Sequence, residues 1–223
     1  MYEQSLQFGV VWAAFDQLLL GAWLTIRLTA QAIVLGMAIA IACAWATTGG
    51  GPWARRIVGG YVEVIRNTPF LLQLYFFFFG LPAIGIRLPP TQAALLTMVI
   101  NLGAYAAEIM RAGIQSIPHG QTEAGRALGL KPFQIFRLVI LPPTLRAVYQ
   151  PLAGQFTMVL LGSSVTSAIS ANELTSAANL LQSINFRTFE TYLVVTFMYL
   201  AMVFAFRGVL AAGFVLLRGQ APR

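Results

Sequence analysis

Five stretches of this chain run for 16 or more residues without a formal charge: Leu28 to Ala54, Asn67 to Ile86, Leu88 to Ala107, Ala147 to Asn172, and Thr191 to Phe206. A bilayer's hydrocarbon core takes roughly 20 helical residues to cross, so each run can span it, the last by continuing past Arg207 towards Leu217. Only 9% of residues are charged, against about 25% in a soluble domain, and 58% are hydrophobic. The expected fold is an all-α membrane protein with five transmembrane helices.

The basic residues give an orientation. Arg55, Arg56 and Arg66 flank the first connection, Arg111, Arg126, Lys131, Arg137 and Arg146 occupy the third, and Arg218 and Arg223 lie in the tail. The other side holds Arg87 and Arg187, with Arg27 in the outer part of helix one. An excess of Lys and Arg marks the cytoplasmic side, so the N-terminus is expected to be periplasmic and the C-terminus cytoplasmic. The pI of about 10.2 then reports topology, and no nucleic-acid partner is expected. The first eight residues, MYEQSLQF, contain Glu3 and no Lys or Arg precedes Arg27. A cleavable signal peptide begins with basic residues, so helix one is expected to be retained. The one cysteine, Cys43, excludes an internal disulfide and a multi-cysteine metal site, and reads as a packing residue.

Helix one is expected over about Leu18 to Trp45, ending in the cluster from Thr47 to Pro52. Helix two follows from about Ile57 to Phe79, with Glu63 and Arg66 neighbours on one face and a kink at Pro69. Gly80 to Pro90 reads as an external loop. Helix three covers about Thr91 to Gly113, helix four Leu145 to Ser170, and helix five Phe189 to Leu217. Ala38, Ala42 and Ala46, with Gly36 nearby, form a small-residue stripe suited to close packing, either within the chain or against a second subunit. No internal repeat or linker divides residues 1–223, so a single domain is expected.

The third connection is the most unusual stretch. Pro118 and Gly120 stop helix three, and Gln121 to Leu128 can form a short helix with Glu123 in its first turn, at the positive end of the dipole. Gly129 permits a sharp turn and Pro132 suits the start of a second short helix, whose Phe133, Phe136 and Ile140 share a face before Pro142-Pro143 ends it. Helix-end electrostatics and a surface pair with Arg126 would also account for Glu123.

These residues resemble the permease subunits of bacterial ABC importers, in the polar amino acid uptake family of histidine, glutamine and arginine permeases. The family's cytoplasmic signature is E-A-A, three residues, G, nine residues, then I-x-L-P. Here it is carried by Glu123, Ala124 and Gly125, by Gly129, and by Val139 to Leu141 and Pro142. Gly125 for alanine and Val139 for isoleucine are the departures. Arg66-Asn67-Thr68-Pro69 and Tyr105 to Ile114 are similar to the family's helix-two and helix-three signatures.

The resemblance implies a permease domain with a coupling loop at about 118–142, in which Glu123, Ala124, Gly125, Gly129, Leu141 and Pro142 dock on an ATPase dimer. It also implies a second permease chain, identical or related, a periplasmic amino acid-binding protein, and a place in the bacterial inner membrane. Import of a polar amino acid would proceed by alternating access, with ATP and Mg bound by the partner ATPase. This chain is not expected to hydrolyse ATP, because a P-loop ends in Gly-Lys-Ser/Thr and the only lysine, Lys131, lies between Leu130 and Pro132.

Polar residues inside apolar spans are costly and so are candidates for the substrate pathway. They are Gln73, Tyr75, Asn101, Tyr105, Glu108, Ser163, Ser164 and Thr166, with Ser167 beside them. Helix-helix hydrogen bonds for the small polar residues, and a pair with Arg111 for Glu108, would explain the same residues. The family's charged Lys-Asp-Thr-Ser run in helix four reads Leu161-Gly162-Ser163-Ser164 here, and Gly162 would allow either a local break or tight packing. Arg207 is expected to snorkel to the interface. The alternative function is a self-contained secondary transporter or channel, which would often show an internal repeat and a midplane ion site. An intramembrane enzyme is disfavoured by one His, His119, and one Cys.

Overall fold

The computed structural model describes residues 6–49 and 51–219, so Glu3 and Arg223 lie outside the described residues, as does the side chain of Arg218. Among the described residues all regular structure is helical. Four helical segments are long and apolar enough to cross a membrane: Phe15–Thr47, Pro90–Gln115, Pro132–Ile169 and Thr188–Val215. The pair Pro52–Arg66 and Phe70–Ile84 makes a fifth if counted as one bent span.

A short helix α1 (Gly9–Ala13) precedes α2 (Phe15–Gly49), which starts three residues before the expected Leu18, with Asp16 in its first turn. Helix α3 (Pro52–Arg66) begins at Pro52, whose missing N–H costs nothing at the first helical position. Helix two is broken outright where a kink is expected. Pro69 cannot donate and forces Thr68 out of the helical region. The side chains complete the stop: Asn67 Nδ2 donates to the Glu63 carbonyl at 2.8 Å, and Thr68 Oγ1 to that of Val64 at 2.9 Å. Helix α4 (Phe70–Tyr75) resumes, widens into a π turn at Phe76–Gly80 and tightens to a 3-10 turn at Leu81–Ile84.

Helix α5 (Pro90–Gln115) is followed by α6 (His119–Ala127), α7 (Pro132–Ile135) and a π turn at Phe136–Ile140, which runs directly into α8 (Leu141–Gly162). The expected end at Pro142-Pro143 is therefore absent. A proline ring clashes with the carbonyl four residues back, and the wide π turn, in which the Leu141 N–H reaches the Phe136 carbonyl, makes room for both rings. After Gly162 the helix narrows to a 3-10 turn at Ser163–Ile169 and stops at left-handed Ser170 (φ 57°). Sequence reasoning missed α9 (Leu174–Asn185) and found α10 (Thr188–Gly219) within two residues of each end.

By internal contacts the chain forms two compact units. One takes in the described residues of Met1–Ile33, Pro69–Met98 and Thr157–Arg223; the other takes in those of Val34–Thr68 and Val99–Phe156. The core of the first joins Val11, Leu18 and Ala22 to Leu174, Ala178 and Leu181 of α9 and Val194 and Val195 of α10. Gly21 permits this closeness, since a Cβ there would lie 2.9 Å from the Leu174 Cα. Thr25 Oγ1 accepts the Leu174 N–H at 3.0 Å, which removes one orphan donor from the start of α9.

In the second unit, Gly36 packs on Leu102, Gly103 packs on Ile39, and Tyr61 donates to the Ile100 carbonyl at 2.6 Å. Of the expected small-residue stripe, Gly36 is buried within the chain, Ala46 is half-buried, and Ala38 and Ala42 are exposed and face outward. Gly113 sits against Val148, and a Cβ there would overlap its Cγ1. Gly113→Val should therefore lower the unfolding midpoint of the solubilised protein by the equivalent of about 1–3 kcal/mol, the usual cost of overpacking. Gly154→Val, at a position with open space, is the control and should leave the midpoint nearly unchanged.

Outward faces are apolar along the spans, as with Leu20, Trp23, Val34 and Ile41 on α2 and Phe197, Phe204 and Val209 on α10. A bilayer would cover them. Arg27 and Arg207 are exposed on the same helices.

Candidate functional site

Residues 118–142 form a helix, a turn and a second helix. Helix α6 begins at His119, so Glu123 falls in its second turn, beyond the dipole contact expected of it. No ion pair joins it to Arg126 among the described residues. The helix closes with the Leu130 N–H on the Gly125 carbonyl at 3.1 Å and the Gly129 N–H on the Arg126 carbonyl at 2.9 Å. That pair of bonds is a Schellman motif, with Gly129 at its left-handed position (φ 72°). Gln134 then accepts the Lys131 N–H at 2.8 Å and starts α7, with Pro132 at the first position.

Gly125 is buried against Ile135, and a Cβ there would lie 3.2 Å from the Ile135 Cγ1. The departure from alanine thus lets the two helices close on each other. Glu123, Ala124, Gly129 and Pro142 are exposed, Leu141 is half-buried, and Leu128 and Phe133 project with 80% and 71% of their surface free. Phe136 is exposed as well, while Ile140 is half-buried. Large apolar side chains exposed together in this way form the kind of patch that marks interaction surfaces in general.

The candidate pathway residues separate into two groups. Gln73, Tyr75, Ser163, Ser164 and Thr166 belong to the first unit, where α4 packs on the 3-10 turn Ser163–Ile169. Gln73, Ser163 and Thr166 are buried. The hydroxyls bond within their own turn: Ser163 to Leu160, Ser164 to Leu161, Thr166 to Ser163 and Ser167 to Ser164 carbonyls, at 2.6–2.7 Å. Ser163 is in addition within reach of the Tyr199 side chain on α10, so a contact between helices is added to the local bonds there. Nothing lies within 4 Å of the Cβ position of Gly162, so the glycine marks a change of helix type without tight packing in this chain. Tyr75 is half-buried beside Phe79, with ring centroids 5.7 Å apart.

Asn101, Tyr105 and Glu108, all half-buried, belong to the second unit and share one face of α5. The pair with Arg111 is formed and bidentate, Nε to Oε2 at 2.8 Å and Nη2 to Oε1 at 2.6 Å. Arg66 joins from α3, 3.5 Å from the same carboxylate and 5.6 Å from the Tyr105 ring centroid. Tyr105, Glu108, Arg111 and Arg66 line a cavity of about 740 Å³ together with Arg55 and Glu63.

Sequence reasoning missed Glu173, which is 1% exposed at the start of α9. Its carboxylate accepts the Thr175 N–H at 2.8 Å, the Ser176 N–H at 2.5 Å and the Tyr199 hydroxyl at 2.8 Å. Burial pushes this carboxyl above the usual range, against the pull of those donors. The available signal was the position itself: a lone acid ending a 26-residue uncharged run, followed by Leu-Thr-Ser.

The model of the family described as binding-protein-dependent transport system inner membrane component matches residues 32–213. The chain belongs to this family. The permease is 36% identical over 195 residues to the glutamine transport system permease protein GlnP of Escherichia coli (strain K12), covering 86% of this chain and 89% of that one. It is 36% identical over 175 residues to the L-cystine transport system permease protein TcyB of Bacillus subtilis (strain 168), covering 78% and 74%. A solved structure of an amino acid ABC transporter with histidines superposes at a TM-score of 0.87 with 31% identity, over 94% of the permease and 98% of that chain. The MetNI methionine ABC transporter, inward-facing, has the same fold at a TM-score of 0.67 and 21% identity, over 90% and 97%. The permease has the ABC-transporter membrane-component fold, and ATP hydrolysis belongs to a separate subunit of such systems.

Proposed function

We propose that the permease carries a polar amino acid from periplasm to cytoplasm across the bacterial inner membrane, as one domain with its N-terminus outside and C-terminus inside. The reading is carried by the identity to a glutamine permease along 86% of the chain. The excess of basic residues around 55–66 and 111–146 supports the orientation.

Segment 118–142 is then the cytoplasmic docking element. Glu123, Ala124, Gly125, Gly129, Leu141 and Pro142 would meet an ATPase dimer that holds ATP and Mg, with exposed Leu128 and Phe133 as apolar anchors in its groove. ATP-driven closure of the ATPases shifts the balance between outward-open and inward-open states of two permease chains, and a periplasmic binding protein delivers the substrate. The residues that would line the substrate pathway are Gln73, Tyr75, Asn101, Tyr105, Glu108, Ser163, Ser164 and Thr166.

The permease purified with its ATPase should hydrolyse ATP several-fold faster when the amino acid-loaded binding protein is added. Hydrolysis unmoved by any of the common amino acids would move the substrate to another class.

A further inference from the structure

We propose that the cavity bounded by α3 and the C-terminal parts of α2 and α5 binds a free amino acid as its zwitterion, carboxylate against Arg55 and Arg66, ammonium against Glu63. The proposal rests on the amino acid permease reading above and places a station at the cytoplasmic end of that pathway. All of the lining belongs to the second unit, and none of it to the Gln73 and Ser163 group.

Glu63 and Arg66 stand three apart on α3, where opposite charges ordinarily pair. Here they do not: Arg66 is drawn to the Glu108 carboxylate and the Tyr105 ring. The Glu63 side chain keeps no hydrogen bond or ion pair among the described residues. On the same wall, the hydrogen bond that Arg55 makes among the described residues runs from its Nε to the Thr47 carbonyl at 3.2 Å. Arg55 is exposed and lines the cavity.

Glu108 takes its two short bonds from Arg111 and meets Arg66 only at 3.5 Å, so Arg66 keeps capacity for a ligand carboxylate beside Arg55 and Glu63. A simple anion would be repelled by Glu63 and a simple cation by the arginines. A ligand carrying both signs satisfies all three, and guanidinium-carboxylate contact is among the stronger polar pairings available. The volume of about 740 Å³ lies within the ~300–1,000 Å³ of small-molecule pockets.

The test is equilibrium binding of radiolabelled amino acids, the twenty common ones and L-cystine, to the permease–ATPase complex without binding protein. At least one should bind, and its N-acetyl derivative and its decarboxylated amine should each compete at least tenfold less well. Glu63→Gln should weaken binding at least tenfold and erase the discrimination against the N-acetyl derivative. Arg55→Gln should erase that against the amine, and decides the matter if the first variant fails to assemble. Unchanged affinity and discrimination in the assembled variants would overturn the proposal. So would absence of binding to a complex that takes up amino acid normally with its binding protein. Absence of both binding and uptake for every amino acid would instead remove the functional reading beneath it.

Discussion

Gly129→Asp is expected to abolish amino acid uptake while the protein still inserts into the membrane. The residue holds φ at 72°, and no atom lies within 4 Å of the Cβ it lacks. Substitution thus costs backbone strain alone, about 1–2 kcal/mol for an ordinary residue and less for Asp, which tolerates this conformation. A carboxylate at the negative end of α6 adds about 0.3–1 kcal/mol. Neither penalty unfolds a protein of this size. The new charge does fall in the middle of the proposed docking surface, between exposed Leu128 and Phe133, where a desolvated, unpaired carboxylate is costly in any interface. Gly129→Asn, of the same shape without charge, should retain a substantial part of the uptake. Fluorescence-detected size exclusion of tagged variants reports insertion, and labelled amino acid uptake into whole cells reports transport. Wild-type uptake by the Asp variant would sink the docking role of the segment.

Glu173→Ala is expected to destabilise the first unit by about 2–4 kcal/mol. It removes a helix cap, usually worth about 0.5–2 kcal/mol, and orphans the donors of Thr175, Ser176 and Tyr199, each costing about 1–3 kcal/mol if left dry. The thermal midpoint of the solubilised protein should fall by several degrees, with hydrogen exchange rising first in α9. The same carboxyl gives a pH dependence of definite sign. Its folded pKa is raised by burial, so the folded state holds a proton that the unfolded state gives up near 4.5. Stability from this group is therefore full below that pH and declines as pH rises through the folded value. The stability of wild type minus that of Glu173→Gln should show this decline. A difference that is flat with pH would mean that Glu173 does not titrate in the folded protein.

The spans were legible because uncharged length is a physical requirement of the bilayer, and Gly129 was legible because a helix that reverses needs a left-handed residue. Three features were not. Helix α9 is short and draws its order from Gly21, Thr25 and Glu173, contacts that span up to about 150 positions of sequence and leave no periodic trace. At Pro69 the ring itself was visible, but the side chains of Asn67 and Thr68 turned a kink into a break. At Pro142-Pro143 two ring clashes predict a terminus, and a π turn upstream dissolves them; sequence patterns do not advertise that turn. In the candidate pathway the polar residues were easy to find, while their division between two units was set by the fold alone.

Because the π turn joins α7 to α8 without a terminus, Phe133 and Val148 ride on one shaft. A twist applied at the exposed end is a twist of the whole shaft, with no swivel at the prolines to absorb it. The compliance of the element is confined to its two soft points, the Gly129 turn on one side and the widened turn at Phe136–Ile140 within it. Backlash between input and output is thereby limited to what those two joints allow.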